Sequence, residues 1–231
     1  MRTSTYFGIA TALLLSFSKD INAQENNTND HAQEPRTLFG GNGKIKHGGW
    51  GAPTASYTQV MKQDAMLVGV RGGWLINHRL TIGVAGQGMV TPLTNKAYEE
   101  LLIAEDGAGL STSRFNMGYG GLLIEPVIAY KSPIHISLPI IIGAGGCGYT
   151  TSTRSPGHDE WFEWDEYDYR NDSEAFFVLE PGIDLEMNVI PLLRFGIGAS
   201  YRYTTEVDLP ATAKDALHGI TAGFSIKVGK F

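Results

Sequence analysis

The stretch FFVLEPGIDLEMNVIPLLRFGIGASYRY, Phe176 to Tyr203, decides how the rest of the chain is read. From Phe177 every second residue is apolar, through Leu179, Pro181, Ile183, Leu185 and Met187. Between them lie Glu180, Gly182, Asp184 and Glu186. After a short turn at 188–192 the alternation resumes, with Leu193, Phe195, Ile197, Ala199, Tyr201 and Tyr203 on one face. Arg194, Gly196, Gly198, Ser200 and Arg202 form the other face. Alternation at period two over about ten residues, twice, predicts a hairpin whose strands each have one greasy and one polar side.

The pattern recurs on both sides of this hairpin. Strands are predicted at 49–60, with Trp50, Ala52 and Val60 on the greasy face, and at 65–76, with Met66, Val68, Val70, Trp74 and Ile76 opposite Gly69, Arg71 and Gly73. Further strands are predicted at 80–90, 117–130, 135–149 and 219–231, making eight in all. In the last, Ile220, Ala222, Phe224, Ile226 and Val228 oppose Thr221, Gly223, Ser225 and Lys227. The connections 77–79, 131–134 and 188–192 are short, whereas 91–116, 150–174 and 204–218 are long and polar. Only 61–64 is brief among the odd-numbered connections. Short turns on one side and long loops on the other is the layout of outer-membrane barrels, with the turns periplasmic and the loops extracellular. The pairs Glu125-Pro126 and Glu180-Pro181 repeat between hairpins. Proline has no N–H for a strand ladder, so bulges are expected at Pro126 and Pro181, turning Glu125 and Glu180 into the lumen.

The beginning of the chain reads as an export signal over residues 1–23. Arg2 precedes an apolar run from Phe7 to Phe17, too short to span a bilayer, and Ile21-Asn22-Ala23 offers a cleavage site. Residues 24–47 are polar and are expected to be a flexible periplasmic lead-in, with the barrel occupying 48–231. The formal net charge is −6 and becomes −7 once Arg2, Lys19 and Asp20 leave with the signal. This acidic balance argues against nucleic acid as a partner. Cys147 is the single cysteine, which excludes an intramolecular disulfide and metal sites built on paired thiolates.

Alternation alone also fits a secreted soluble barrel that holds a small apolar ligand. Two features favour a membrane. The greasy faces carry almost no charge, and the opposite faces are Gly, Ser and Thr with scattered ions, which suits the crowded inside of an eight-strand barrel. Trp74, Tyr130, Tyr201 and Tyr203 fall near strand ends, where interfacial aromatics gather. The expectation is a closed antiparallel eight-stranded up-and-down transmembrane β-barrel in the bacterial outer membrane. Residues 48–231 resemble the small OmpA/OmpX-type outer-membrane barrels. That resemblance implies that Phe224, Ile226, Val228 and the terminal Phe231 form an assembly signal for the barrel-insertion machinery. Phe231 is out of phase with Ile226 and Val228, which requires a bulge or a frayed end.

Arg71, Glu125, Glu180, Asp184, Glu186, Arg194, Arg202 and Lys227 are assigned to the lumen. A plug of ion pairs is favoured there over a proton or ion path, because buried charge must be paired. A turn centred on Ile190 would set Glu186 opposite Arg194 and Glu180 opposite Ser200, with Arg202 one diagonal step from Glu180. The loop 150–174 mixes carboxylates with aromatics through His158, Asp159, Glu160, Trp161, Phe162, Trp164, Tyr167 and Tyr169. It is a candidate surface for an extracellular protein or glycan partner. It lacks the regular Asp spacing of a calcium loop, so no metal site is assigned, and no cofactor motif is read. Catalysis has one weak candidate, a lipid-modifying site at His158 with Ser155 or Asp159, and no Gly-x-Ser-x-Gly elbow supports it. His47, His78 and His135 lie near turns, where solvated histidines are expected. The functional expectation is a structural or surface-interaction role in contact with outer-membrane lipid.

Overall fold

The computed structural model describes residues 45–106, 110–154 and 171–231. Among these residues, nine strand segments and one helix make up the fold. The strands are β1 (His47–Val60), β2 (Gln63–Ile76), β3 (Leu80–Met89), β4 (Leu110–Ile128), β5 (Ile134–Ser137), β6 (Ile140–Arg154), β7 (Asn171–Ile190), β8 (Leu193–Thr204) and β9 (Gly219–Lys230). The helix α1 (Lys96–Asp106) lies between β3 and β4. Every pairing is antiparallel, and β1 pairs with both β2 and β9, which closes the sheet into a barrel. Because β5 and β6 both lie between β4 and β7, the nine segments fill eight places in the ring.

The break in the fifth place comes from Pro139. Register is the same on either side of it, with Ile124 opposite Ile140 and Val127 opposite Ser137. Leu138 N–H donates to the Pro126 carbonyl at 2.9 Å, and Gly182 N–H donates to the Pro139 carbonyl at 2.8 Å. The expected bulges at Pro126 and Pro181 are therefore replaced by a two-residue gap in the strand between them. The one register shift on β7 lies further on, between Asn188 and Ile190. The turn closes Ile190 on Leu193, and the ladder beyond it runs two residues from the expected register: Glu186 faces Gly196, and Gly182 faces Ser200.

The outer surface is apolar. Phe177, Val84, Val70 and Ile220 are 71%, 69%, 68% and 67% exposed, and Ile82, Leu122, Ile142, Ile183, Ile197 and Phe224 join them. Soluble monomers rarely expose a contiguous apolar patch above a few hundred Å². A closed barrel with an apolar outer band and a charged inside satisfies its backbone in lipid, and this is the build of an outer-membrane barrel. The expectation for the first strand is inverted, since Trp50, Ala52 and Val60 are buried inside. The Trp50 indole N–H donates to Thr81 Oγ1 at 3.1 Å, giving its polar edge a partner that lipid would not supply. Ile76 is likewise buried rather than lipid-facing.

Close backbone approach is demanded where Gly121 faces Gly143 across β4 and β6. A Cβ on Gly143 would stand 2.1 Å from the Gly120 carbonyl oxygen and 2.6 Å from the Gly121 Cα. Gly143→Val is expected to destabilise the barrel by about 1–3 kcal/mol, as overpacking does. Urea unfolding in lipid vesicles would read the loss, and a wild-type midpoint would show that the strands yield.

Candidate functional site in the barrel lumen

The short-turn half of the lumen holds a network of buried ions. Lys227 Nζ lies 2.5 Å from both Glu125 Oε1 and Glu186 Oε1, and 4.0 Å from the centre of the Trp50 ring. The three ionic side chains come from β9, β4 and β7, and none is more than 1% exposed. Inward alternation on three strands is what brings them together. Glu186 also accepts from Ser137 Oγ at 2.6 Å and lies 3.2 Å from His135 Nε2 and 3.8 Å from Arg194 Nη1. The Arg194 guanidinium stacks 3.7 Å from the ring centre of Phe231, which follows the last residue of β9 and packs against the inner apolar cluster.

A second pair lies one step toward the middle. Arg71 Nη2 is 2.5 Å from Asp184 Oδ2 and donates to Ser225 Oγ at 2.9 Å. Above it, Glu180 accepts from Tyr119 Oη at 2.6 Å, Gln87 Nε2 at 3.0 Å and Ser200 Oγ at 2.5 Å. A cavity of about 80 Å³ separates these layers, lined by Arg71, Gln87, Glu180, Asp184, Ser200 and Thr221 among others. Ser56 Oγ and Arg71 Nε, which belong to residues on its wall, are buried without a protein partner. Buried polar atoms of this kind bind water where there is room.

The loop half is built differently. Leu67, Phe115, Met117, Tyr149 and Phe176 project inward from the strands and pack against Tyr98 and Leu102 of α1 and against Val207, Leu209 and Leu217. Helix α1 starts at an Asn cap: Asn95 Oδ1 accepts from the N–H groups of Ala97 and Tyr98 at 3.1 and 3.4 Å. Tyr149 Oη ties two covering segments together, through Asn95 Nδ2 at 2.7 Å and Thr212 Oγ1 at 2.6 Å. Its ring stacks on Tyr98 with centroids 4.1 Å apart. The connections 91–116 and 204–218, read from sequence as polar loops, thus supply buried apolar residues to the mouth.

All eight ions assigned to the lumen from sequence lie inside the barrel, but in different partnerships from those expected. Glu186 and Arg194 share the inner face without sitting directly opposite one another. Arg202 binds a carbonyl instead of a carboxylate: its Nε donates to Leu217 O at 2.6 Å. His135 is 2% exposed and belongs to the network, contrary to the solvated histidine expected. Its neighbour Ile136 is lipid-facing, and that alternation was the signal that pointed His135 inward. Gln87, Tyr119 and Tyr149 could have been found by the same phase argument. The carboxylates of Glu125, Asp184 and Glu186 come within 4.8 Å of one another, and Lys227 and Arg71 already bind one oxygen of each, while Glu125 Oε2 is buried without a hydrogen-bond partner. The residues His158, Asp159, Glu160, Trp161, Phe162, Trp164, Tyr167 and Tyr169, with Ser155, lie outside the described residues.

Neither a protein-family model nor a curated protein matches the sequence. Among solved structures, the chain is similar to Neisserial surface protein A at 13% identity, over 82% of this chain and 100% of that one, with a TM-score of 0.48. It is similar to a major outer membrane protein from Thermus thermophilus at 8% identity, over 78% and 98%, with a TM-score of 0.48. A third is Ail, the attachment invasion locus protein of Yersinia pestis, at 14% identity, over 79% and 95%, with a TM-score of 0.40.

Lys227→Met removes the one cation shared by Glu125 and Glu186. Breaking a buried pair from one side costs about 3–5 kcal/mol, so the urea midpoint is expected to fall sharply. Adding Glu186→Gln to that variant should recover part of the loss, and an additive further loss would show that the pair is not coupled. Tyr149→Phe removes the two hydroxyl bonds to Asn95 and Thr212 and leaves the direct bond from Asn95 to the Ala211 carbonyl. Faster hydrogen exchange is expected at the amides of 211–218, with the strand amides unchanged.

Proposed function

We propose that this chain is a non-conducting outer-membrane barrel, a scaffold that holds its long loops outside the cell for a protein or glycan partner. The observation that supports this reading is side-chain packing inside the barrel at two levels. The Lys227, Glu125 and Glu186 network fills the turn half, and the apolar cluster under α1 and 205–218 fills the mouth. The cavity of about 80 Å³ between the two ionic layers has room for a few waters. In this reading residues 1–23 are the export signal, 24–47 the periplasmic lead-in, and Phe224, Ile226, Val228 and Phe231 the signal read by the insertion machinery. The loop 150–174, with its aromatic and acidic residues, is the contact surface.

Planar-bilayer recording of the refolded protein is expected to show no steady conductance. A persistent open level at neutral pH would overturn the plugged lumen. Removal of residues 155–170 is expected to leave heat-modifiable gel migration intact while abolishing cell-surface adhesion or glycan-array binding. Equal binding with and without the segment would move the contact surface elsewhere.

A further inference from the structure

A groove of about 760 Å³ runs along the outside of the barrel at its loop end, within the size range of small-molecule sites. Its walls are the β1–β2 turn, the start of β9 with the end of β8, and the segment 211–218. The floor is continuous with the lipid-facing band: Tyr57 is 50% exposed, Tyr201 36% and Ile220 67%. The rim is polar, and most of its groups are already engaged within the protein. Gln59 donates to Asp64 at 3.1 Å, Gln63 to the Thr94 carbonyl at 2.9 Å, and Asn95 to the Ala211 carbonyl at 2.9 Å. Lys62 differs. It is exposed on the groove, and among the described residues it has no ion-pair partner.

The turn geometry sets the shape of this end of the groove. Met61, Lys62 and Ala211 all line the groove, with φ of 53°, 60° and 51°. At Met61 and Lys62 this is the ordinary left-handed geometry of a two-residue hairpin turn, which closes Val60 on Gln63. Met61 packs its side chain against the mouth cluster, so the turn holds Lys62 at the rim. The opposite wall is fixed by Thr212, whose hydroxyl meets Tyr149 Oη at 2.6 Å.

We propose that this groove binds one phosphate-bearing membrane lipid, with an acyl chain along Tyr201 and Ile220 and the head-group phosphate at Lys62. Continuity of the floor with the barrel's lipid surface and the unpaired cation at the rim favour this occupant over a protein. The inference rests on the membrane reading of the exterior, which heat-modifiable migration and membrane fractionation test separately.

The test uses the refolded full chain in a neutral detergent, with binding read by native mass spectrometry. The probes are dioleoyl phosphatidylglycerol, dioleoylglycerol lacking the phosphate, and inorganic phosphate. Phosphatidylglycerol is expected to bind at one copy, dioleoylglycerol more weakly, and inorganic phosphate neither to bind nor to compete. Lys62→Glu should weaken phosphatidylglycerol about fivefold or more. Ala213→Trp, which fills the groove from an exposed loop position, should abolish the single-copy adduct while heat-modifiable migration stays normal. Unchanged lipid binding in both variants overturns the proposal. So does full competition by inorganic phosphate, or a switch from dimer to monomer in Ala213→Trp with lipid binding retained, which would mark the groove as a contact between two copies of this chain.

Discussion

In hydrocarbon there is no water to satisfy a backbone N–H or carbonyl, so every strand of a membrane barrel must find a partner on both sides. The seam between β1 and β9, where Trp50 faces Gly229 and Tyr57 faces Ala222, therefore does more than complete a circle. It removes the last two open edges. The same rule explains the handling of proline at Pro126, Pro139 and Pro181. The chain gives up two residues of ladder in the fifth place, and Leu138 and Gly182 donate to the proline carbonyls beside the gap. Register is kept on both flanks, so the inward and outward faces of β6 continue those of β5.

Closure at eight sets the second constraint, the width of the lumen. An interior of this size is filled by side chains, and the two halves are filled by different chemistry. Near the turns, Lys227, Arg71 and Arg194 meet Glu125, Asp184 and Glu186, each ion desolvated and held by a counter-ion or hydroxyl. Near the mouth the strands present Leu67, Phe115, Tyr149 and Phe176, which need apolar partners from outside the ring. Tyr98 and Leu102 of α1, with Val207 and Leu217, supply them. The covering segments are thus part of the barrel's core, and the Tyr149 hydroxyl joins them into one piece.

The fold was legible wherever apolar residues alternate with polar or small ones along a strand, as over Leu179–Met187 and along β8. It failed on β1, where Trp50, Ala52 and Val60 face inward and Tyr57 faces out. Hydrophobicity assigns Trp50 to lipid, whereas its indole N–H needs Thr81 and its ring packs over Lys227. The lumen ions were legible because each interrupts an apolar strand at an inward phase. Their partners were not, since the turn closes Ile190 on Leu193 and the pairing runs two residues away from that of a turn centred on Ile190. The connections beyond the strands misled for another reason. Val207 and Leu209 alternate with Glu206 and Asp208 for too few residues to read as a strand, and Leu217 stands apart from them.

By itself the sequence determined the number of strands, their order, the side each long connection lies on and which ions are inside. Those follow from period-two alternation, which needs no knowledge of a neighbour. Only the tertiary structure decided who meets whom: the phase of β1, the Lys227 bridge across three strands, the carbonyl partner of Arg202 and the apolar cluster that joins the strands to α1. Pairing depends on the register of strands that are distant in sequence, and one shifted residue pair or one broken ladder changes it without altering any local pattern.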